Sequence, residues 1–296
     1  MKPWTGAHFG LSAGLAGIGI LVLVALAVAA SVSQAQVGPD DLKAPEGDPG
    51  LDVLACYEIE VLTPVPPPPL RARLVTDNFG GDVVNIFGNR SPLFCESAVK
   101  TSTGDAAVLP YGKLGDFVFQ CFEIEQGANP DDELSLLTHN FGTEPVTVGR
   151  ADQMCESARK QHFSGIAPLG HPGRMAMHCF AVEPVRDDAG NLPNHGQVEL
   201  TTKNFGTEVA SLGPTTHLCE EAAKHTADPD KPDVGKPTGR VWQCIQASPD
   251  PVEAHGNIIG LTTSNFGPMG VVVGSLIIMC EKAKKVYSLS ATPVRP

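Results

Sequence analysis

The sequence has no run rich in lysine and arginine, and its formal net charge is −12 over 296 residues. Phosphate recognition needs clustered cations, so nucleic acid is excluded as a partner. No C-x2-C pair, H-E-x-x-H, phosphate-binding G-x-x-x-x-G-K or haem-attaching C-x-x-C-H is present. Those absences remove the usual structural zinc, metalloprotease, nucleotide and c-type haem readings, and no cofactor and no metal are expected. Aromatics make up only 6% of the chain, against 31 glycines and 26 prolines. That composition is turn-rich, while the 42% hydrophobic content still supports a core. The nine histidines do not recur at one repeat position, and His178 beside Cys179 reads as a strand-edge residue.

Several strings imitate functional motifs and dissolve on inspection. Gly10-Leu11-Ser12-Ala13-Gly14 fits the nucleophile elbow G-x-S-x-G but lies inside an apolar leader. Asp228, Asp230 and Asp233 with Gly235 suggest a calcium loop, but Pro229 and Pro232 interrupt them and no twelfth-position Glu follows. Asp131-Asp132 and Asp187-Asp188 read as loop solvation. Val53-Leu54-Ala55-Cys56 stands too far past the apolar segment to be a lipoprotein box. No catalytic residue is assigned.

What is present begins at the N-terminus. Lys2 is followed by an uncharged stretch from Leu11 to Ala30, and Ser33-Gln34-Ala35 places small residues at the −3 and −1 positions of a cleavage site. Residues 1–35 are therefore expected to be a secretory signal peptide. The chain would be secreted or periplasmic, with no stable membrane insertion after cleavage. The alternative is an uncleaved N-terminal anchor with the remainder facing outside.

One pattern then occurs four times. A Cys opens a short apolar segment: CYEIE at Cys56, CFEIE at Cys121, CFAVE at Cys179 and CIQAS at Cys244. L-x-T-x-N-F-G follows, ending in Asn78-Phe79-Gly80, Asn140-Phe141-Gly142, Asn204-Phe205-Gly206 and Asn265-Phe266-Gly267. Each copy closes on C-E-x-A-x-K at Cys95, Cys155, Cys219 and Cys280. From the motif Asn to the second Cys is 15 residues in copies two to four and 17 in copy one.

The alternation of apolar and polar residues predicts strands. N-F-G predicts the turn of a hairpin, with the Phe folded back as a core plug and the Gly tolerating positive φ. C-E-x-A-x-K predicts a short helical turn, its Glu and Lys supporting one another at i and i+4, as in Glu96 and Lys100. The expected fold is all-β with short helical turns: four tandem disulfide-stapled β repeats of about 60 residues. The divisions are 1–35 signal peptide, 36–52 linker, 53–100, 118–160, 176–225 and 241–287 for the four repeats, and 288–296 tail. The Pro-rich strings from Val61 and from Asp228 read as loop and linker.

All eight cysteines lie in the repeats, two per copy. In an exported chain an even count implies disulfides. A unit this small buries little surface, and a bridge closing about 35–40 residues contributes roughly 3–4 kcal/mol. Two simple schemes respect the repeat. Pairing within copies joins Cys56 to Cys95, Cys121 to Cys155, Cys179 to Cys219 and Cys244 to Cys280. Pairing across copies joins Cys95 to Cys121 and so on, leaving Cys56 and Cys280 for each other. The within-copy scheme is favoured because each unit is then self-contained.

The repeat resembles an uncharacterised family of exported bacterial and archaeal proteins whose unit reads roughly C-Y-x-V, then D-Q-F-G, then L-C-x-P-x-x-K. The match covers nearly all of the chain after the leader and is best at Cys56-Tyr57, Asp77-Asn78-Phe79-Gly80 and Cys95 with Lys100. Asn stands for the family Gln throughout; the family Asp survives only as Asp77; Ser97, Ser157, Glu221 and Lys282 stand for its Pro. The resemblance brings no assigned activity.

A non-enzymatic protein is expected, one that binds a protein or glycan at the envelope or outside the cell, or has a structural role there. The alternative is a secreted hydrolase with a site formed between repeats. Copy four adds a candidate contact surface. Val272 takes the place of Asn85, Thr147 and Ser211, and Ile277 that of Pro92, Asp152 and Thr216. With Ile278 these make both faces of its closing strand apolar, for burial against a neighbouring copy or in an oligomer formed through repeat four.

Overall fold

The computed structural model describes residues 52–62, 69–103, 111–112, 114–115, 117–125, 127–162, 168–252 and 254–286. All belong to one unit, Lys43–Pro296. The expected signal peptide lies outside the described residues.

Copy one supplies β1 (Val53–Val61), β2 (Leu70–Thr76), β3 (Gly80–Ile86) and β4 (Leu93–Ser102), followed by the two-residue β5 (Tyr111–Gly112). Copy two supplies β6 (Val118–Glu125), β7 (Asp132–Thr138), β8 (Gly142–Ser157) and its continuation β9 (Arg159–His162). Copy three supplies β10 (Ala176–Pro184), β11 (Gly196–Thr202) and β12 (Gly206–Thr226). Copy four supplies β13 (Val241–Pro249), β14 (Ile258–Thr263) and β15 (Gly267–Val286). Each copy is thus an opening strand, a middle strand and a long closing strand, the last broken once in copy one and once, at Ala158, in copy two.

The N-F-G segment turns the middle strand into the closing strand in every copy. Gly80, Gly142, Gly206 and Gly267 all sit at φ near +70°, where a Cβ is disfavoured. The motif Thr completes the turn: Thr76, Thr138, Thr202 and Thr263 accept the backbone N–H of the Phe three residues on, at 3.1–3.2 Å.

The opening strand of each copy pairs antiparallel with its own closing strand and with that of the preceding copy. Followed round, the order is β1, β4, β6, β8, β10, β12, β13, β15 and back to β1. This is a closed eight-stranded barrel, and copies one and four meet in it through β1 and β15. Bulges interrupt β1–β15 at Cys56/Tyr57, β8–β10 at Cys179/Phe180 and β12–β13 beside Thr215. Such irregularities bend strands sharply, here between the barrel and the hairpin half of each closing strand.

The middle strands lie outside this ring. Each pairs with the start of its own closing strand and with the end of the closing strand two copies away: β2 with β12, β11 with β4, β7 with β15 and β14 with β9. Copies one and three exchange these contacts mutually, as do copies two and four. The copies are therefore interlocked, which corrects the expectation that each is self-contained.

Strand alternation divides the core in two. Leu54, Cys56, Leu93, Cys95, Phe119 and Met177 belong to the cluster that fills the barrel with the other cysteines and Trp242. The remaining space there is about 20 Å³, room for about one water, so the barrel is a packed core. The alternate residues, among them Ala55, Tyr57, Phe94, Phe122 and Phe180, form a second cluster with the hairpins. Phe79, Phe141, Phe205 and Phe266 pack against that cluster, half-buried.

No helix occurs among the described residues, which corrects the helical turn expected at C-E-x-A-x-K. Glu96, Ala98 and Lys100 lie on one face of β4, and the corresponding residues of the other copies are likewise in strands, save Ala158 at the break between β8 and β9. A spacing of four fits both a helix turn and two strand repeats, and pairing to two neighbouring strands selects the second. His178 is also corrected: it is 1% exposed and sits mid-barrel between β8 and β12. The stretch from Asp228 is not a free linker, for Val234 is buried and bridges Lys224.

Candidate functional site

The repeated residues converge in three concentric arrangements. Innermost are the cysteines. Each copy's pair stands directly opposite across two antiparallel strands, and the bridges are Cys56–Cys95, Cys121–Cys155, Cys179–Cys219 and Cys244–Cys280. All eight share one interior cluster. Sulfurs of neighbouring copies touch: Cys56 to Cys280 at 3.9 Å, Cys155 to Cys179 at 3.9 Å and Cys219 to Cys244 at 3.8 Å. Four such bonds suit an oxidising compartment outside the cytoplasm.

One residue beyond each second Cys, on the outer face, stands the motif Glu, and four beyond that the motif Lys. These pair between copies: Lys100 with Glu281, Lys160 with Glu96, Lys224 with Glu156 and Lys285 with Glu220. Every Lys reaches the Glu of the preceding copy, copy one reaching copy four, so the pairs close a ring. All eight side chains are at most 4% exposed. Burial pushes the lysine pKa values down, and in three pairs the facing carboxylate opposes that shift. A buried charge needs a partner and hydrogen bonds, and N-F-G provides them. Asn78 donates to Glu220 at 2.9 Å and Asn204 to Glu96 at 3.1 Å, while Asn265 is wedged against both Glu156 and Lys224. Asn140 departs from the pattern, its amide nitrogen buried without a hydrogen-bond partner. The next copy's Phe ring then covers each ammonium: Lys100 over Phe141, Lys160 over Phe205, Lys224 over Phe266 and Lys285 over Phe79, at 3.9–5.7 Å, a favourable cation–ring geometry.

The third arrangement breaks the repeat. Four residues after the motif Asn stand Asp82, Glu144, Glu208 and Met269. Asp82 accepts the Ala128 backbone N–H at 2.6 Å and lies 3.7 Å from His178. Glu144 accepts from Thr215 and Gln243, both at 2.6 Å, with His195 Nε2 3.1 Å away. Burial raises its pKa, but the His195 and Thr215 contacts outweigh burial and hold it below the usual carboxylate value. Glu208 accepts from Tyr57 at 2.9 Å and from His255 at 3.1 Å, both on Oε1. Burial first, then the Glu208 charge, pushes the Tyr57 phenol up, so it stays a donor. Met269 faces Gln120 instead.

Glu208 and His255 line a cleft of about 470 Å³ with Phe205, Thr207, Val209, Asp250 and the prolines on either side of Asp250. Its walls come from copies three and four, with Tyr57 of copy one behind. Here an acid and an imidazole meet open space between repeats. Neither Glu208 nor His255 stood out in the sequence. The available signal was positional: His195 and His255 precede the L-x-T leucine of their copies by five and six residues, and Glu144 and Glu208 share one offset from the Asn. Among the described residues no group of three or more His, Cys, Asp or Glu is arranged to hold a metal ion, and no helix is long and apolar enough to cross a membrane.

In copy four, Val272 stands opposite Glu60 of β1 and Ile278 opposite Cys56, so the strand is flanked by copy one. All three candidate contact residues are half-buried, and Ile277 and Ile278 pack on the barrel-interior cluster. No family model matches the chain, and comparison with curated proteins and with solved structures returns no match.

Proposed function

We propose that this is an exported, non-enzymatic protein that binds a protein or glycan at the cell envelope or outside the cell, or has a structural role there. The observation that carries the reading is the use made of the repeated residues. Cys, Thr, Asn, Phe, Gly, Glu and Lys are all committed to bridges, turns, buried pairs and ring contacts inside the fold. That leaves recognition to what varies between copies, and the cleft at Glu208 and His255 is one such place. The disulfides and the Ser33-Gln34-Ala35 pattern support export with removal of residues 1–35. Descent from the exported repeat family is part of the proposal, on the motif residues alone.

A secreted hydrolase is the second reading, favoured by one observation. The Glu208–His255 pair is the kind of acid–imidazole contact a general base uses, and it lines a cleft assembled between copies.

The test is to express the full chain with its own leader, fractionate the cells, and measure intact mass, free thiols and co-sedimentation with isolated envelopes. Chain starting after Ala35, without free thiols and sedimenting with envelopes, is the expected result. Cytoplasmic chain with titratable thiols overturns it. Turnover of ester, glycoside or peptide substrates that disappears in Glu208→Gln would replace it with the hydrolase.

A further inference from the structure

The eight sulfurs form a near-continuous circuit. Within copies they are bonded, and between copies three of the four gaps are van der Waals contacts of 3.8–3.9 Å. A thiolate exchanges with a disulfide by attacking one sulfur and expelling the other, so its requirement is a disulfide sulfur in contact. Three of the four first cysteines have one: Cys56 touches Cys280, Cys244 touches Cys219, and Cys179 touches Cys155.

We infer that the barrel interior is a thiol–disulfide relay, in which a thiol opened in one copy passes around the ring without unfolding the chain. Suppose a small dithiol reductant opens Cys56–Cys95, taking up two electrons' worth of oxidation as its own disulfide. The Cys56 thiolate attacks Cys280, forms Cys56–Cys280 and expels Cys244 as thiolate. Cys244 attacks Cys219, forms Cys219–Cys244 and expels Cys179. Cys179 attacks Cys155, forms Cys155–Cys179 and expels Cys121. Each step makes one S–S bond and breaks one, with no net change in oxidation. The end state carries three between-copy bridges and thiols at Cys95 and Cys121. Loss of two electrons to an oxidant would join those two and complete the alternative scheme. Both pairings thus use one backbone, because within a copy the cysteines stand opposite one another and between copies the register offsets them by only two residues on the same face: Cys56 faces Ile278, Cys179 faces Gln153 and Cys219 faces Trp242. Burial in an apolar interior disfavours thiolate and makes the relay slow and base-dependent.

The test removes one cysteine from the full chain. Cys95→Ser leaves Cys56 as the initial odd thiol. Incubate the oxidised variant at mildly alkaline pH, alkylate at intervals, quench in acid and map peptides without reduction. The relay gives label that starts on Cys56 and spreads to Cys244, Cys179 and Cys121 in comparable amounts, with Cys56–Cys280, Cys219–Cys244 and Cys155–Cys179 appearing. Label confined to Cys56, or bridges between cysteines that are not neighbours in the ring, overturns it. Should Cys95→Ser not fold, the wild-type chain opened with limiting dithiothreitol gives the same readout. There, the three between-copy bridges support the relay, and loss of within-copy bridges with no new ones overturns it.

Discussion

Lys100 of the first copy is paired with Glu281 of the fourth, 181 residues further along the chain, and both are buried. The contact is equivalent to the three made between successive copies. It shows that the ring of charges closes as the ring of strands does, and it makes the motif Glu and Lys residues of assembly and not of local support.

Breaking one of these pairs should be costly. Lys224 and Glu156 are both fully buried, so Lys224→Met leaves a carboxylate without its cation and should destabilise by about 3–5 kcal/mol. Adding Glu156→Gln removes the stranded charge and keeps an acceptor for the Ser264 N–H. The double variant should recover most of the loss. Denaturant unfolding of the four proteins of this cycle checks the prediction, and additive losses would refute the coupling.

Stability should fall with acid through His178. Burial pushes its pKa down from 6.5 to about 4, with Asp152 opposing. Above pH 6.5 the imidazole is neutral in both states and contributes no pH dependence. Between about 6.5 and 4 the unfolded chain takes up a proton that the folded chain refuses, so stability declines, by roughly 3 kcal/mol across that window. Copies two and four carry Gln120 and Gln243 at this position. His178→Gln should therefore flatten the profile, and the difference in stability between variant and wild type should grow as pH drops from 7 to 4.

A single copy should not fold. A fragment of residues 53–100 keeps Cys56–Cys95 but loses Glu281 for Lys100, Glu220 for Asn78 and the Phe180 ring, 4.5 Å from Phe79. It should show no cooperative melt and poor amide dispersion in NMR. A cooperative transition would return the copies to the status of independent domains.

Ile277 offers a test of the copy-four surface. Its side chain packs on the barrel interior, so Ile277→Asp should destabilise by about 1–3 kcal/mol while sedimentation is unchanged. Loss of an oligomer in place of stability would make this surface a contact between molecules.

Much of the fold was legible in the sequence. The hairpins followed from apolar alternation around N-F-G, the turn glycines from their motif position, and the within-copy bridges from two cysteines per unit. The Lys–Glu pairs were not legible, because E-x-A-x-K satisfies helical and strand spacing alike; Ala98, on the same face as both charges, is the residue consistent with the strand. Ring closure was equally hidden, since nothing local in β1 or β15 announces the other as its neighbour. Glu208 and His255 escaped because they are ordinary residues in variable segments, and only the exchange between distant copies brings Tyr57 and His255 onto one carboxylate oxygen.

The mutual exchange of middle strands fixes how many copies the gene can carry. In a circle of four, the copy two places ahead is also the copy two places behind, so β2 finds β12 and β11 finds β4 in one reciprocal pair. Five copies would have no such opposite number, and three would make it an adjacent one already used by the barrel. A solenoid tolerates the gain or loss of a unit by unequal recombination. This architecture does not, and a duplicated or deleted copy should be lost as a folding failure. Any fold-preserving change of chain order must instead be a rotation of the existing four, with the seam between β1 and β15 joined and a new break made elsewhere in the circle.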